Sequence, residues 1–389
     1  MTDRRTTTAP GDAVALAKTD LQQVLDALRQ AGYRTIGPRP SQGAIVFDDI
    51  ERVEQLPIGM IDEQDGGRYR LRESDEAGWF DYVVGPHSLK NFLFPPRECV
   101  QELVQLDDGW ECRTPPETGP PLAVIGVRGC DLHALAVQDR TFLEGPYVDP
   151  GYQARREKLF LVAVNCRRAA ATCFCHSMQT GPAVRGGYDL ALTELEDRFV
   201  VDIGTDRGAA VMDRVAWSEC ATEDLAQARA LPADLERAMH ARESEHGGPD
   251  EPRQRRMDPT GIRDLLLGNL EHPRWDDVAA RCLGCTNCTM VCPTCFCSTV
   301  EEVADLSGEH VRRERAWASC FTEEHSYLAS GVVRPTIRSQ YRQWLTHKLA
   351  SWIDQFGTSG CIGCGRCITW CPVGIDLTEE VAAIRGDAP

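Results

Sequence analysis

The chain has 389 residues, 42 Lys+Arg against 59 Asp+Glu, a formal net charge of -17 and 18 cysteines. A composition 42% hydrophobic and 26% charged belongs to a globular protein of about two domains and excludes disordered and collagen-like classes. The acidic balance speaks against nucleic-acid and anionic-membrane partners, which are bound through basic surfaces. Only four of the basic residues are Lys, so no Lys-rich patch exists.

The N-terminal stretch MTDRRTTTAPGDAVALAKTD has two arginines but no apolar core behind them, so no secretory signal is expected. No run of 18 apolar residues occurs, which leaves no transmembrane helix in expectation. A cytoplasmic location follows, and in that reducing compartment metal ligation is the leading use for the cysteines. Residues 1 to about 110 combine a predicted helix over 20–31, with Leu21, Val24, Leu25 and Leu28 on one face, with short segments broken by Gly and Pro. No chemistry announces itself there.

From Pro121 onward come short apolar runs, PLAVIGVR, KLFLVAVNC, YDLALTEL and RFVVDIG, with the helical DLHALAVQDRTFL between the first two. This pattern predicts an α/β layer with at least one parallel crossover. A helix is expected over 222–242, closing an α/β domain of residues 1–242. The polar, Gly/Pro-containing residues 243–257 then read as a linker. Beyond them GIRDLLLGNL, RWDDVAARC and RQWLTHKLASWIDQF have helical spacing and no strand-like alternation appears. Residues 258–389 are therefore expected to form a mainly helical domain, and it holds eleven of the cysteines.

The run CLGCTNCTMVCP places Cys282, Cys285, Cys288 and Cys292 at C-x2-C-x2-C-x3-C-P, and CIGCGRCITWCP repeats it with Cys361, Cys364, Cys367 and Cys371. Three thiolates at three-residue intervals wrap one iron–sulfur cube, while the fourth ligates the other cube. One 4Fe-4S cluster is thus expected on Cys282, Cys285, Cys288 and Cys371, and a second on Cys361, Cys364, Cys367 and Cys292. Pro293 and Pro372 redirect the chain after each run, and Gly284, Gly363 and Gly365 let backbone amides approach the sulfurs. Zinc is the bland alternative, but it takes ligands in two separated pairs, which this dense spacing does not supply. Sixty-eight residues lie between Cys292 and Cys361, so the expected domain is a helical dicluster ferredoxin-type domain and not a minimal ferredoxin.

The tetrapeptide TCFC occurs at 172–175 and again at 294–297. Cys166 and Cys130 end predicted strands, and strand ends on one sheet edge converge. Cys130, Cys166, Cys173 and Cys175 therefore form a candidate third ligand set. The competing reading is that they are small buried hydrophobes, since residues i and i+2 of a strand point apart and need a turn to share a metal. The same competing reading applies to Cys295, Cys297 and Cys320, while Cys99, Cys112 and Cys220 are isolated and read as structural. His133 and His176 read as packed or solvated residues. No G-x-G-x-x-G, no P-loop, no further C-x-x-C pair for a nickel–iron centre and no catalytic triad occurs. No flavin or nucleotide is expected on this chain.

The segments GVRGCDLHALAVQDRTFL, LVAVNC, TCFCHSMQTGP, GYDLALTEL, CLGCTNCTMVCPTCFC, ASC and CIGCGRCITWCPVGIDL, in that order, resemble the beta subunits of cytoplasmic nickel–iron hydrogenases (sulfhydrogenases). The corresponding iron–sulfur subunits of anaerobic sulfite reductases share the pattern. The resemblance spans about residues 120–389. It implies a non-catalytic 4Fe-4S relay between a flavin subunit that handles NAD(P)H and a hydrogenase module. The equivalent relay of a sulfite reductase is the alternative, with a free-standing iron–sulfur oxidoreductase and an iron–sulfur sensor as readings of other classes. Two positions depart from the pattern: Gly129 stands where the family usually has Pro before the Cys, and Trp317-Ala318-Ser319-Cys320 replaces a WDSC-type motif. The first 110 residues carry no part of the resemblance and are left for partner specificity.

Overall fold

The long apolar runs become strands covered on both faces. The computed structural model describes residues 7–83, 85–115, 119–244 and 255–386. Strand β1 (Ala13–Ala17) leads into the helix Leu21–Gln30, then β2 (Arg34–Ser41) and β3 (Ala44–Asp49). A detached hairpin, β4 (Met60–Asp65) and β5 (Arg68–Glu73), and a ladder of β6 (Arg97–Leu106) with β7 (Gly109–Arg113) follow. Then come β8 (Leu122–Val127), β9 (Phe160–Val164), β10 (Leu190–Glu194), β11 (Arg198–Ile203) and β12 (Ser218–Glu219).

Eight of these strands form one sheet in the order β12-β1-β11-β10-β9-β8-β2-β3. Its centre, β2, β8, β9 and β10, is parallel, and the helices Gly129–Phe142 and Pro150–Glu157 make the expected crossover from β8 to β9. Val162 and Val164 of β9 pack in one core with Leu25 and Leu28 of the first helix. The alternate residues Leu161 and Ala163 pack in the opposite core with Leu132 and Leu135. Burial on both faces is why these strands read as continuous apolar runs. The first 110 residues contribute β1, β2 and β3 to this same sheet, since β1 pairs with β11 and β2 with β8 and β3.

The helix Thr222–Ser244 runs into the predicted linker over 243–257, of which residues 245–254 lie outside the described residues. Its far end is anchored: Met257 is buried, and Arg255 bridges Asp65 of β4 and Asp376. Beyond it the helices Ile262–Gly268, Arg274–Ala279, Ile337–Thr346 and Leu377–Arg385 pack around Trp275, Trp344, Leu345 and Leu349.

The expectation that no strand follows residue 258 is corrected. β13 (Ser298–Ala304) and β14 (His310–Trp317) form a hairpin, and β14 pairs antiparallel with β6, giving the sheet β13-β14-β6-β7. The segments STVEEVA and HVRRERAW carry charges on both sides because neither face of β13 is buried. No hydrophobic alternation marks them, and the pairing relies on cross-strand ion pairs such as Arg313–Glu302 and Arg97–Glu314. Among the described residues no helix is long and apolar enough to cross a membrane.

Candidate metal centres

The first cysteine loop turns on left-handed backbone at Gly284 (φ 63°) and Thr286 (φ 68°) and enters the short helix Asn287–Met290. The Gly284 amide donates to Cys282 Sγ at 3.4 Å, as the glycine spacing predicts. Cys282, Cys285, Cys288 and Cys371 line one cavity whose apolar wall includes Phe321, Tyr341 and Trp344, and Cys367 lines it as well. Cys371, from the second run, is held by the Ile375 amide, which donates to its Sγ at 3.3 Å. Cys285 is exposed and Cys282, Cys288 and Cys371 are half-buried.

The second loop is built alike, with Gly363 (φ 67°) and Gly365 (φ 76°) ahead of the helix Arg366–Thr369. Burial pushes the Cys367 thiol up, and the sulfurs of Cys361, Cys364 and Cys292 beside it add to the effect. Cys292, from the first run, therefore lies with the second triple. A hydrogen bond from Cys295 and the Lys348 ammonium hold the Cys292 thiol well below its usual range despite burial. Lys348 Nζ lies 3.2 Å from Cys292 Sγ and 3.5 Å from Cys295 Sγ. Each fourth cysteine thus sits with the other run's triple. Among the described residues no group of three or more His, Cys, Asp or Glu side chains is arranged as the ligands of a single metal ion.

Gly363 and Gly365 have a second reason to be glycine. A Cβ at Gly363 would stand 2.6 Å from Phe174 O and 2.7 Å from Cys175 N, and one at Gly365 would stand 2.3 Å from Thr172 O. The first TCFC segment is pressed backbone to backbone on the second loop, with Phe174 N–H donating to Gly363 O at 2.8 Å. Gly363→Ala is expected to cost about 1–2 kcal/mol for the left-handed backbone alone, plus the clash with an immovable backbone. Thermal unfolding of the variant with its iron content checks this; a Tm equal to the parent's contradicts it.

The candidate third set is also brought together. Cys130 begins the helix after β8 and Cys166 follows β9, and these parallel neighbours end on the same edge. A turn closed by Cys173 N–H to Ala170 O at 3.1 Å removes the strand geometry that would part Cys173 from Cys175. Both are buried. Burial pushes the Cys173 thiol up to about 12, with Cys166 and Cys364 close enough to add to it. Cys175 faces Cys173, Cys166 and Cys364. Gly129, at the departure from the family pattern, lies against Ala183 O, which a Cβ would meet at 2.6 Å. His176 is buried with its ring 4.6 Å from that of His240, and His133 sits at Gly129 O. Cys112 is exposed on β7, while Cys99 and Cys220 are half-buried.

The cationic frame of these groups was not foreseen from sequence. Arg366 is buried, pairs with buried Asp131 at 2.8 Å and donates to Gly85 O and His87 O. Lys90 is buried, donates to Thr289 O and Met290 O, and stands 3.8 Å from the Trp317 ring centre. Burial pushes its ammonium down to about 8 against the opposing sulfurs of Cys295 and Cys292. The available signal was composition: in a chain with four lysines, two are buried among cysteines.

Residues 281–375 match the 4Fe-4S dicluster domain family. Over 372 residues the chain is 28% identical to the sulfhydrogenase 2 subunit beta of Pyrococcus furiosus, covering 93% of this chain and 95% of that one. No solved structure matches. The chain therefore contains a 4Fe-4S dicluster domain, and its likeness to a hydrogenase subunit reaches well beyond residues 120–389 into the first 110.

Proposed function

We propose that this chain is a non-catalytic iron–sulfur electron-transfer subunit, carrying electrons in the cytoplasm between a nickel–iron hydrogenase module and a flavin-containing NAD(P)H-oxidoreductase subunit. The observation that carries the reading is the exchange of fourth cysteines: Cys371 lies with Cys282, Cys285 and Cys288, and Cys292 with Cys361, Cys364 and Cys367. These are the two ligand sets, and Cys130, Cys166, Cys173 and Cys175 are the third. When bound, the clusters supply one-electron redox chemistry. The chain's own residues do the rest. Phe321, Tyr341 and Trp344 give the first set an apolar wall, the Gly284 and Ile375 amides donate to its sulfurs, and Lys348 and Arg366 offset thiolate charge at the second.

Contact of the third set with Cys364 gives three sets in succession, which supports a relay through the chain rather than a reaction within it. The complex purified anaerobically on a tag attached to this chain is expected to contain nickel and flavin and no sirohaem. Sirohaem without nickel assigns the chain to a sulfite reductase. Neither, with the chain alone turning over an artificial donor, assigns it to the free-standing oxidoreductases.

A further inference from the structure

Three cysteines of the C-terminal part remain outside these sets. Cys295 and Cys297 belong to the second TCFC, and Cys320 ends the sequence Trp317-Ala318-Ser319-Cys320. The unforeseen hairpin joins them: Cys297 O accepts from Ala318 N–H at 2.9 Å at the base of the β13–β14 ladder, so the chain returns to TCFC just before Cys320. The return is fixed by buried Ser319, whose Oγ accepts from Thr289 Oγ1 at 2.9 Å and from Phe321 N–H at 3.2 Å. Thr294, fully buried like its counterpart Thr172, is tied to Gly360 O at 2.6 Å.

Charge gives the second observation. Lys90 and Lys348 are 4% and 3% exposed, and among the described residues neither has a carboxylate within ion-pair distance. A buried ammonium without an anion is strongly unfavourable, so anions are needed where these side chains point. Lys348, aimed inward from a π-helical turn over His347–Ser351, touches Cys292 and Cys295. Such turns often mark functional sites. Lys90 lies close enough to Cys295, Cys292 and Cys297 to interact with all three sulfurs.

We propose that Cys295, Cys297 and Cys320 ligate a further iron–sulfur cluster, with Lys90 and Lys348 as its buried counter-cations. The inference rests on the dicluster reading above. A three-thiolate cube leaves its fourth iron to a non-protein ligand.

The full chain in its complex, purified anaerobically, is assayed for iron and acid-labile sulfide and by EPR. Cys297→Ser and Cys320→Ala are each expected to lose about four irons per chain while the dicluster signals persist, and Cys285→Ser to lose a different four. Because Cys320 is buried and Cys297 half-buried, the Cys297 variant guards against loss through misfolding. Wild-type iron in both variants, with the loss at Cys285→Ser intact, overturns the proposal alone; no loss at Cys285→Ser overturns the dicluster reading beneath it. A loss of one metal ion per chain also overturns it. Lys90→Met is expected to keep its iron and lower one midpoint potential in a redox titration; a titration identical to wild type removes the counter-cation role.

Discussion

Cys364→Ser is expected to remove one 4Fe-4S cluster and to destabilise the chain, whereas Cys285→Ser removes one cluster and leaves the fold standing. Both cysteines are the middle members of their loops' proposed ligand sets, and a serine oxygen is a poor replacement for a thiolate at iron, so each variant is expected to lose about four irons. Their surroundings separate them. Cys285 is exposed at the rim of its cavity, and an empty first site leaves no charge stranded. Cys364 is buried in one cluster with Cys130, Cys173 and Cys175, beneath the TCFC segment and beside Arg366. Without the second cube, Lys348 loses the anion it faces through Cys292, and a buried cation without its partner is strongly unfavourable. Iron analysis with chemical denaturation tests both parts. Equal stability of the two variants contradicts the charge argument, and full iron in either contradicts the ligand assignment.

The second large effect concerns Asp131. Asp131 and Arg366 are 1% and 0% exposed and meet at 2.8 Å. Asp131 also accepts from the Arg128 amide at the start of its own helix. The pair joins the helix that carries Cys130 to the helix that follows Cys364, so it sets the distance between the third set and the second. Asp131→Ala leaves the buried guanidinium without its carboxylate, with the Gly85 and His87 carbonyls and the Cys364 sulfur as its partners, and is expected to cost about 3–5 kcal/mol. The double variant Asp131→Leu/Arg366→Met is expected to recover most of that, since two apolar side chains leave no charge buried. Denaturant unfolding of the single and double variants gives the cycle. A single-variant loss below about 1 kcal/mol, the value of an exposed pair, contradicts the role given to the pair.

Much of this was legible in the residues themselves. The eight cysteines announce their chemistry because iron–sulfur ligation fixes ligand identity and spacing locally, within one tight loop. The strands β8 to β11 announce themselves because burial on both faces demands unbroken apolar runs. The hairpin β13–β14 did not, since β13 is solvated on both faces and the ladder carries Arg–Glu pairs, which leaves no hydrophobic period to read. TCFC was visible as a repeat, but whether its cysteines meet depended on the turn at Ala170–Cys173 and on contact with Gly363.

The eight candidate ligands, and the expected exchange of fourth cysteines, are legible in the chain because the C-x2-C-x2-C-x3-C-P spacing is a local signature of two-cluster ferredoxins. Which cations stand over those ligands came from packing. Lys90 and Thr289, or Asp131 and Arg366, are far apart in the chain, and no local pattern marks a side chain whose partner is supplied by another element. Charge buried in a low-dielectric interior acts only on what packing brings within a few ångströms.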